Sequence, residues 1–279
     1  MSLPADSHVH SEWSWDAPLG AMEQTCARAV EIGLPAIAFT EHLDHTVWVA
    51  TPEVLQLSEH LASLAKPDGS ITPLPFDAAG YLASIEHCRE RFPGLRILSG
   101  LEIGEPHRHV AATAAVLGAG PFDRILGSVH ALPDGDVFAE PPGHVRRHAA
   151  ADVIRRYLAE VAELVTSSDV FEVLAHIDYP LRTWPADAGP ADVRAFEDEF
   201  RHALRLLADS GRTLEVNTKL PLDPAILHCW REEGGSTVTF GSDAHFPAVL
   251  AHGFAEARDM VEAHGFRPGR DPEDYWTAR

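Results

Sequence analysis

The sequence predicts an α/β fold, a barrel-like domain that spans residues 1–279 and carries its site at the C-terminal ends of parallel strands. Three observations predict it. Apolar, strand-like runs alternate with segments of helical spacing, seven units in a row, with no linker or composition break between them. Nearly every strand-like run ends in His, Asp or Glu, and a parallel barrel gathers its strand ends on one face. The chain opens on Asp6-Ser7-His8-Val9-His10 and returns near its end to Gly241-Ser242-Asp243-Ala244-His245, two paired-ligand patterns. An open doubly wound sheet is the alternative, but it groups ligands at one switch point.

The elements follow in order. Leu3 to His10 is a short strand, and alternation puts His8 and His10 on one face. Pro18 to Gly33 is helical, with Met22, Cys26, Ala29, Val30 and Gly33 spaced by three and four, and Gly33 ends it. Leu34 to Thr40 is a buried strand, with Glu41 and His42 at its end. Residues 43–75 are polar and proline-rich and read as a long loop or insertion, helical around Pro52 to Ala65. Phe76 to Arg91 is a helix, Arg96 to Glu102 a strand, and Arg108 to Leu117 a short Ala-rich helix. Asp123 to Val129 is a strand ending at His130, and Ala131 to Gly143 is a turn-rich loop. Ala149 to Ser167 is a helix, and Val170 to Ala175 is a strand ending in His176 and Asp178. The helix from Ala191 to Ser210 stops at Gly211. Arg212 to Val216 is a strand ending in Asn217 and Lys219, and Pro224 to Glu233 is a helix. Thr237 to Phe240 is the last strand, ending in Asp243 and His245, and Ala248 to His264 is the last helix.

Composition narrows the function. Apolar residues at 45% and charged residues at 23% describe an ordinary soluble domain. A net charge of −20 disfavours a nucleic-acid backbone or an anionic membrane as partner. No apolar run approaches the ~18 to 20 residues that span a bilayer. The first residues lack the basic and apolar regions of a signal peptide. Three widely separated cysteines, with no CxxC, fit a reducing cytoplasm. Seventeen histidines favour a metal or acid–base site.

The residues that carry the chemistry are His8, His10, Asp16, His42, Glu102, His130, His176, Asp243 and His245. Nitrogen and oxygen donors without cysteine suit Zn, Mn or Fe rather than Mg or Ca. There are too many donors for one ion, but they suit two or three if carboxylates bridge. Clustered divalent ions make hydroxide from water near neutral pH, which is hydrolytic chemistry suited to a phosphate ester. Arg182 is the best phosphate clamp, because guanidinium binds phosphate oxygens bidentately. Lys219 is a second candidate. Glu41 and Asp44 flank His42 and read as residues that orient it. Asp178 reads as a similar support. The remaining histidines, His144 and His148 among them, read as surface or supporting residues. Trp15 lies in a loop on the site's side of the barrel.

These motifs together resemble the PHP (polymerase and histidinol phosphatase) family, in its stand-alone, histidinol-phosphatase-like branch. The resemblance rests on Asp6-x-His8-x-His10, Thr40-Glu41-His42, Gly100-Leu101-Glu102, Gly127-Ser128-Val129-His130, Ala175-His176-Ile177-Asp178, Glu215-Val216-Asn217 and Gly241-Ser242-Asp243-Ala244-His245, in family order. It implies a distorted (β/α)7 barrel with a trinuclear metal site. It implies that His8, His10, Glu102 and Asp243 hold a first ion. Glu102, His130 and His176 would hold a second, and Asp16, His42 and His245 a third. Asp16 departs from the histidine that the family often has there. The implied catalytic set is Glu102, Asp243, His176 and Arg182, with a metal-bridging hydroxide as nucleophile. The implied substrate is a small phosphomonoester, L-histidinol phosphate first. Another small phosphate, or less readily a nuclease-type phosphodiester, is the alternative. The oligomeric state stays open.

Overall fold

The computed structural model describes residues 3–279. The chain runs β1 (Asp6–Val9), α1 (Met22–Ile32), β2 (Ala36–Leu43), β3 (Trp48–Val49), α2 (Pro52–Leu57), α3 (Glu59–Leu64), β4 (Ser70–Ile71), α4 (Ala78–Arg91) and β5 (Arg96–Gly104). It continues through α5 (Val110–Leu117), β6 (Arg124–Ser128), β7 (Leu132–Asp134), β8 (Val137–Ala139), α6 (Pro141–His144), α7 (Ala150–Ser167), β9 (Val173–Leu174) and α8 (Glu197–Asp209). Last come β10 (Thr213–Asn217), α9 (Pro224–Glu232), β11 (Thr237–Gly241), α10 (Phe254–Ala263), β12 (Phe266–Arg267) and β13 (Trp276–Ala278).

Strands β1, β2, β5, β6, β9, β10 and β11 lie side by side in parallel, in chain order. The sheet curls until its ends meet. His10 N donates to Ala244 O at 2.8 Å and Asp243 N donates to His8 O at 2.8 Å, just past β1 and β11. This contact carries both paired-ligand patterns to one place.

Pleating explains the layers. In β2, Ile37 and Phe39 face the helices and join a core with Met22, Cys26, Tyr81 and Ile85. Ala38, Thr40 and His42 point to the other, concave face. The register sets Thr40 beside Gly100 and His42 beside Glu102 on β5. That concave face is tight at its centre. A Cβ on Gly100 would stand 2.5 Å from Arg124 O and 2.8 Å from Thr40 Cγ2. The interior is filled by small groups at this level, and the larger polar side chains are lifted to the strand ends.

Several elements differ from the sequence expectation. The Ala131–Gly143 stretch is not one loop: β7 and β8 form a hairpin, followed by the short helix α6. Its strands are too short to show period-two alternation. The strand expected over Val170–Ala175 shortens to β9, since the chain turns at His176, whose φ is 20°. The helix expected from Ala191 begins with a 3-10 turn at Val193–Phe196, and that from Ala248 becomes regular only at Phe254. Gly253, at φ 69°, breaks the latter. Residues 43–75 hold two short helices and the two-stranded β3–β4 ribbon. Two C-terminal strands, β13 and β12, extend the sheet antiparallel beyond β11, and the sequence pattern did not reveal them. Among the described residues no helix is long and apolar enough to cross a membrane.

The Tyr81 hydroxyl joins α4 to the sheet. It donates to Phe39 O at 2.7 Å and accepts from Gly100 N at 2.8 Å, fully buried. Tyr81→Phe strips both backbone groups of their partner. The expected cost is about 1–3 kcal/mol, measured as a lower urea midpoint with an unchanged m-value.

Candidate metal centre

The strand ends converge on the carboxylate of Glu102, which is buried on β5. Its Oε2 lies 3.0 Å from His8 Nε2, 3.4 Å from His10 Nε2 and 3.3 Å from His42 Nδ1. Its Oε1 lies 3.0 Å from His130 Nε2 and 2.6 Å from His176 Nε2, and accepts from the Ser128 hydroxyl at 2.5 Å. Around this hub stand the other predicted donors. Asp243 Oδ1 is 3.5 Å from His10 Nε2. Asp16 Oδ2 is 3.4 Å from His42 Nε2 and 3.3 Å from His245 Nε2. All nine residues named from the sequence therefore lie in one cup.

Electrostatics prepares the donors. Burial opposes ionisation of Glu102, yet the charges of His8, His130, His42 and His176 hold its carboxyl well below the usual range. Burial likewise works against Asp243, but Lys219 and Arg182 hold it well below. His10 is pushed down to about 4 by burial and by the neighbouring His42 and His245. The histidines are not alike: against burial, neighbouring carboxylates push His8 and His130 well above the usual range and His42 up to about 9, so metal binding there would release protons.

Metal ions fit this donor set. Metal–donor bonds of ~2.1 Å place adjacent ligand atoms ~3.0–3.4 Å apart in octahedral or tetrahedral geometry. The His8–His10 Nε2 pair at 3.0 Å and the Glu102 separations match that spacing. Asp16 Oδ1 and His42 Nδ1 are buried with no hydrogen-bond partner among the described residues. The donors form overlapping groups: His8–His10–Asp243, His8–Glu102–His176, His10–His42–His245 and His42–Asp44–His130.

The supporting contacts explain the orientation. His8 Nδ1 lies 2.6 Å from Glu215 Oε1, and Glu215 Oε2 accepts from His176 N at 2.7 Å. Glu215 thus sets two donors from β10, a role the motif alone did not reveal. It is packed against Gly241, where a Cβ would stand 2.0 Å from Glu215 Oε1. Glu41 does not orient His42 directly. It accepts from Ser11 and Ser14, and Ser14 Oγ in turn meets His10 Nδ1 and His42 N, each at 3.0 Å. Asp44 bonds His130 Nδ1 at 2.9 Å and stands 3.5 Å from His42, so it serves mainly His130. Asp243 adopts φ 53°, a left-handed turn that aspartate tolerates and that swings its side chain into the cup.

Arg182 donates to Asp243 Oδ2 at 2.7 Å and to Asn217 Oδ1 at 3.0 Å. Lys219 Nζ donates to Asp243 Oδ1 at 3.1 Å. Both cations lie on the cup wall, together with Trp15, Tyr179 and Glu140. Tyr179 and Glu140 were not named as site residues from the sequence, because neither follows a predicted strand directly. Of the histidines read as peripheral, His144 is fully buried instead and bonds Leu132 O. The hairpin and α6 that enclose it were not expected.

A PHP domain family model matches residues 6–219. The chain belongs to the PHP family. It is 24% identical over 269 residues to the histidinol-phosphatase of Lactococcus lactis, covering 94% of this chain and 91% of that protein. A Deinococcus radiodurans relative, named "probable histidinol-phosphatase", is 28% identical over 278 residues, covering 96% of each. The fold matches the crystal structure of histidinol phosphate phosphatase from Lactococcus lactis with a TM-score of 0.78 at 23% identity, over 96% of this chain and 95% of that one. That crystal structure contains Zn, L-histidinol and phosphate.

Replacing Glu215 by Gln removes a negative charge behind His8 and weakens the acceptor for His176 N. Metal affinity is expected to fall by about 10- to 100-fold, read by competition with a chromogenic chelator, while the far-UV circular dichroism spectrum stays unchanged.

Proposed function

We propose that the chain is a metal-dependent phosphomonoesterase that hydrolyses L-histidinol phosphate. The observation that carries this reading is the convergence of His8, His10, His42, His130 and His176 on the buried Glu102 carboxylate, with Arg182 and Lys219 on its rim. Full-length relatives named histidinol-phosphatase support the substrate. We assign two or three divalent ions, Zn, Mn or Fe, to the nine donors, with Asp16, His42 and His245 as the third group. When bound, such ions polarise the phosphoryl group and activate water near neutral pH.

The chain's own residues divide the remaining work. Glu102 and Asp243 supply negative charge that holds cations at the floor of the cup. Glu215 and Asp44 fix imidazoles by their second ring nitrogens. Arg182 and Lys219 share the Asp243 carboxylate, and with Asp243 engaged by a metal their N–H groups would be available to phosphate oxygens. The curled sheet, with its first and seventh parallel strands in contact, supports a distorted (β/α)7 barrel occupying one domain. The three free, buried cysteines accord with a cytoplasmic setting.

The test is a panel of phosphate esters assayed after chelation and reconstitution with Zn, Mn or Fe. Chelation is expected to abolish activity and added metal to restore it, with L-histidinol phosphate giving the highest kcat/KM. Turnover of another ester in its place would overturn the substrate, and release of nucleotides from single-stranded DNA would overturn the monoesterase reading. Arg182→Ala is expected to lower kcat/KM by about 100-fold, and Lys219→Ala by less, because Lys219 is the more exposed.

A further inference from the structure

Five carboxylates line the cup: Asp16, Asp44, Glu102, Glu140 and Asp243. Four are committed. Asp16 meets His42 and His245, Asp44 meets His130, Glu102 meets the hub histidines, and Asp243 meets Arg182 and Lys219. The fifth is free of such ties. Among the described residues the Glu140 carboxylate has no ion-pair or hydrogen-bond partner, and Glu140 belongs to none of the groups that could hold a metal.

Its backbone is nonetheless well placed. Glu140 follows Ala139, a buried residue at the end of β8, and precedes Pro141 at the start of α6. The hairpin that carries it starts two residues after His130, and α6 packs on the segment Tyr179–Thr183 that carries Arg182. Tyr179 forms the wall between. Its ring lies 5.0 Å from that of His176 and 5.9 Å from that of His130, with the Arg182 guanidinium 5.1 Å from its centroid. Glu140 and Tyr179 line the same cup.

We propose that Glu140 is a specificity-determining residue that receives the protonated amine of the substrate's leaving group. This rests on the reading of the chain as an aminoalcohol phosphatase. A carboxyl without a counter-ion in a cleft is driven toward its neutral form, and a cation that arrives with the substrate favours the ionised, hydrogen-bonding form. The two cations already in the cup, Arg182 and Lys219, contact Asp243 and are assigned to the phosphate, and neither pairs with Glu140. L-Histidinol phosphate carries an ammonium on the carbon next to the ester-bearing one. With the phosphate bound by Arg182 and by ions at the donor set, the ammonium, two carbons from the ester oxygen, would lie within reach of the cup wall.

The experiment compares wild type, Glu140→Gln and Glu140→Asp on L-histidinol phosphate and on p-nitrophenyl phosphate, an ester with no amine, with metal content measured in each. In Glu140→Gln the KM for L-histidinol phosphate is expected to rise at least about tenfold, with kcat little changed. The constants for p-nitrophenyl phosphate and the metal content should match the wild type, and Glu140→Asp should recover part of the affinity. Equal losses on both esters, a loss of bound metal, or an unchanged KM for L-histidinol phosphate would overturn the assignment. A wild type that hydrolyses p-nitrophenyl phosphate but not L-histidinol phosphate would instead overturn the functional reading, and the amine with it.

Discussion

Everything in this structure leans on one buried carboxylate. Glu102 sits at the end of the third parallel strand and touches donors from the first, second, fourth and fifth. A carboxylate out of water is expensive unless it is paired and fully hydrogen-bonded. Here the partners are imidazoles and the Ser128 hydroxyl, brought in from the ends of four other strands. The site therefore forms only when the strands are in register, and the folded sheet and the polar hub stabilise each other.

The same dependence explains the residues behind the hub. Glu215, Asp44 and Ser14 touch imidazoles on the nitrogen that faces away from the cup. All three fix ring orientation, and Glu215 and Asp44 add charge, Asp44 from the cup wall itself. Asp6 plays a parallel part in the backbone. It accepts from Ser242 N and Oγ and from Ala251 N, which binds the first strand to the loop after the last. The contact between the chain's two paired-ligand segments is thus a hydrogen-bonded seam, and the donors on either side of it are placed by the same bonds.

Much of this was legible in the residues. Strand-like runs ending in His, Asp or Glu predicted both the parallel architecture and the nine cup residues, since pleating and strand direction are local consequences of sequence. Arg182 and Lys219 were reached by charge and position and do lie on the rim. Glu41 and Asp44 were read as supports for His42; Asp44 does stand 3.5 Å from it, but both make their shorter contacts elsewhere. Sequence adjacency suggested His42, whereas Glu41 reaches back to Ser11 and Ser14 and Asp44 reaches across to His130.

What the sequence determined by itself was the alternation of elements, the residues that gather in the cup and the family, because periodicity and residue chemistry are written in the chain. What only the tertiary structure decided was partnership. The seam between β1 and β11, the clasp of Glu215 on His8 and His176, the β7–β8 hairpin and the unpaired Glu140 on the wall all join residues far apart in the chain or elements too short to show a period. Their energies come from closing the sheet and excluding water, and no local pattern encodes either. His8 and His10 illustrate the division: their spacing announces a pair of ligands, and only the curled sheet supplies the carboxylate between them.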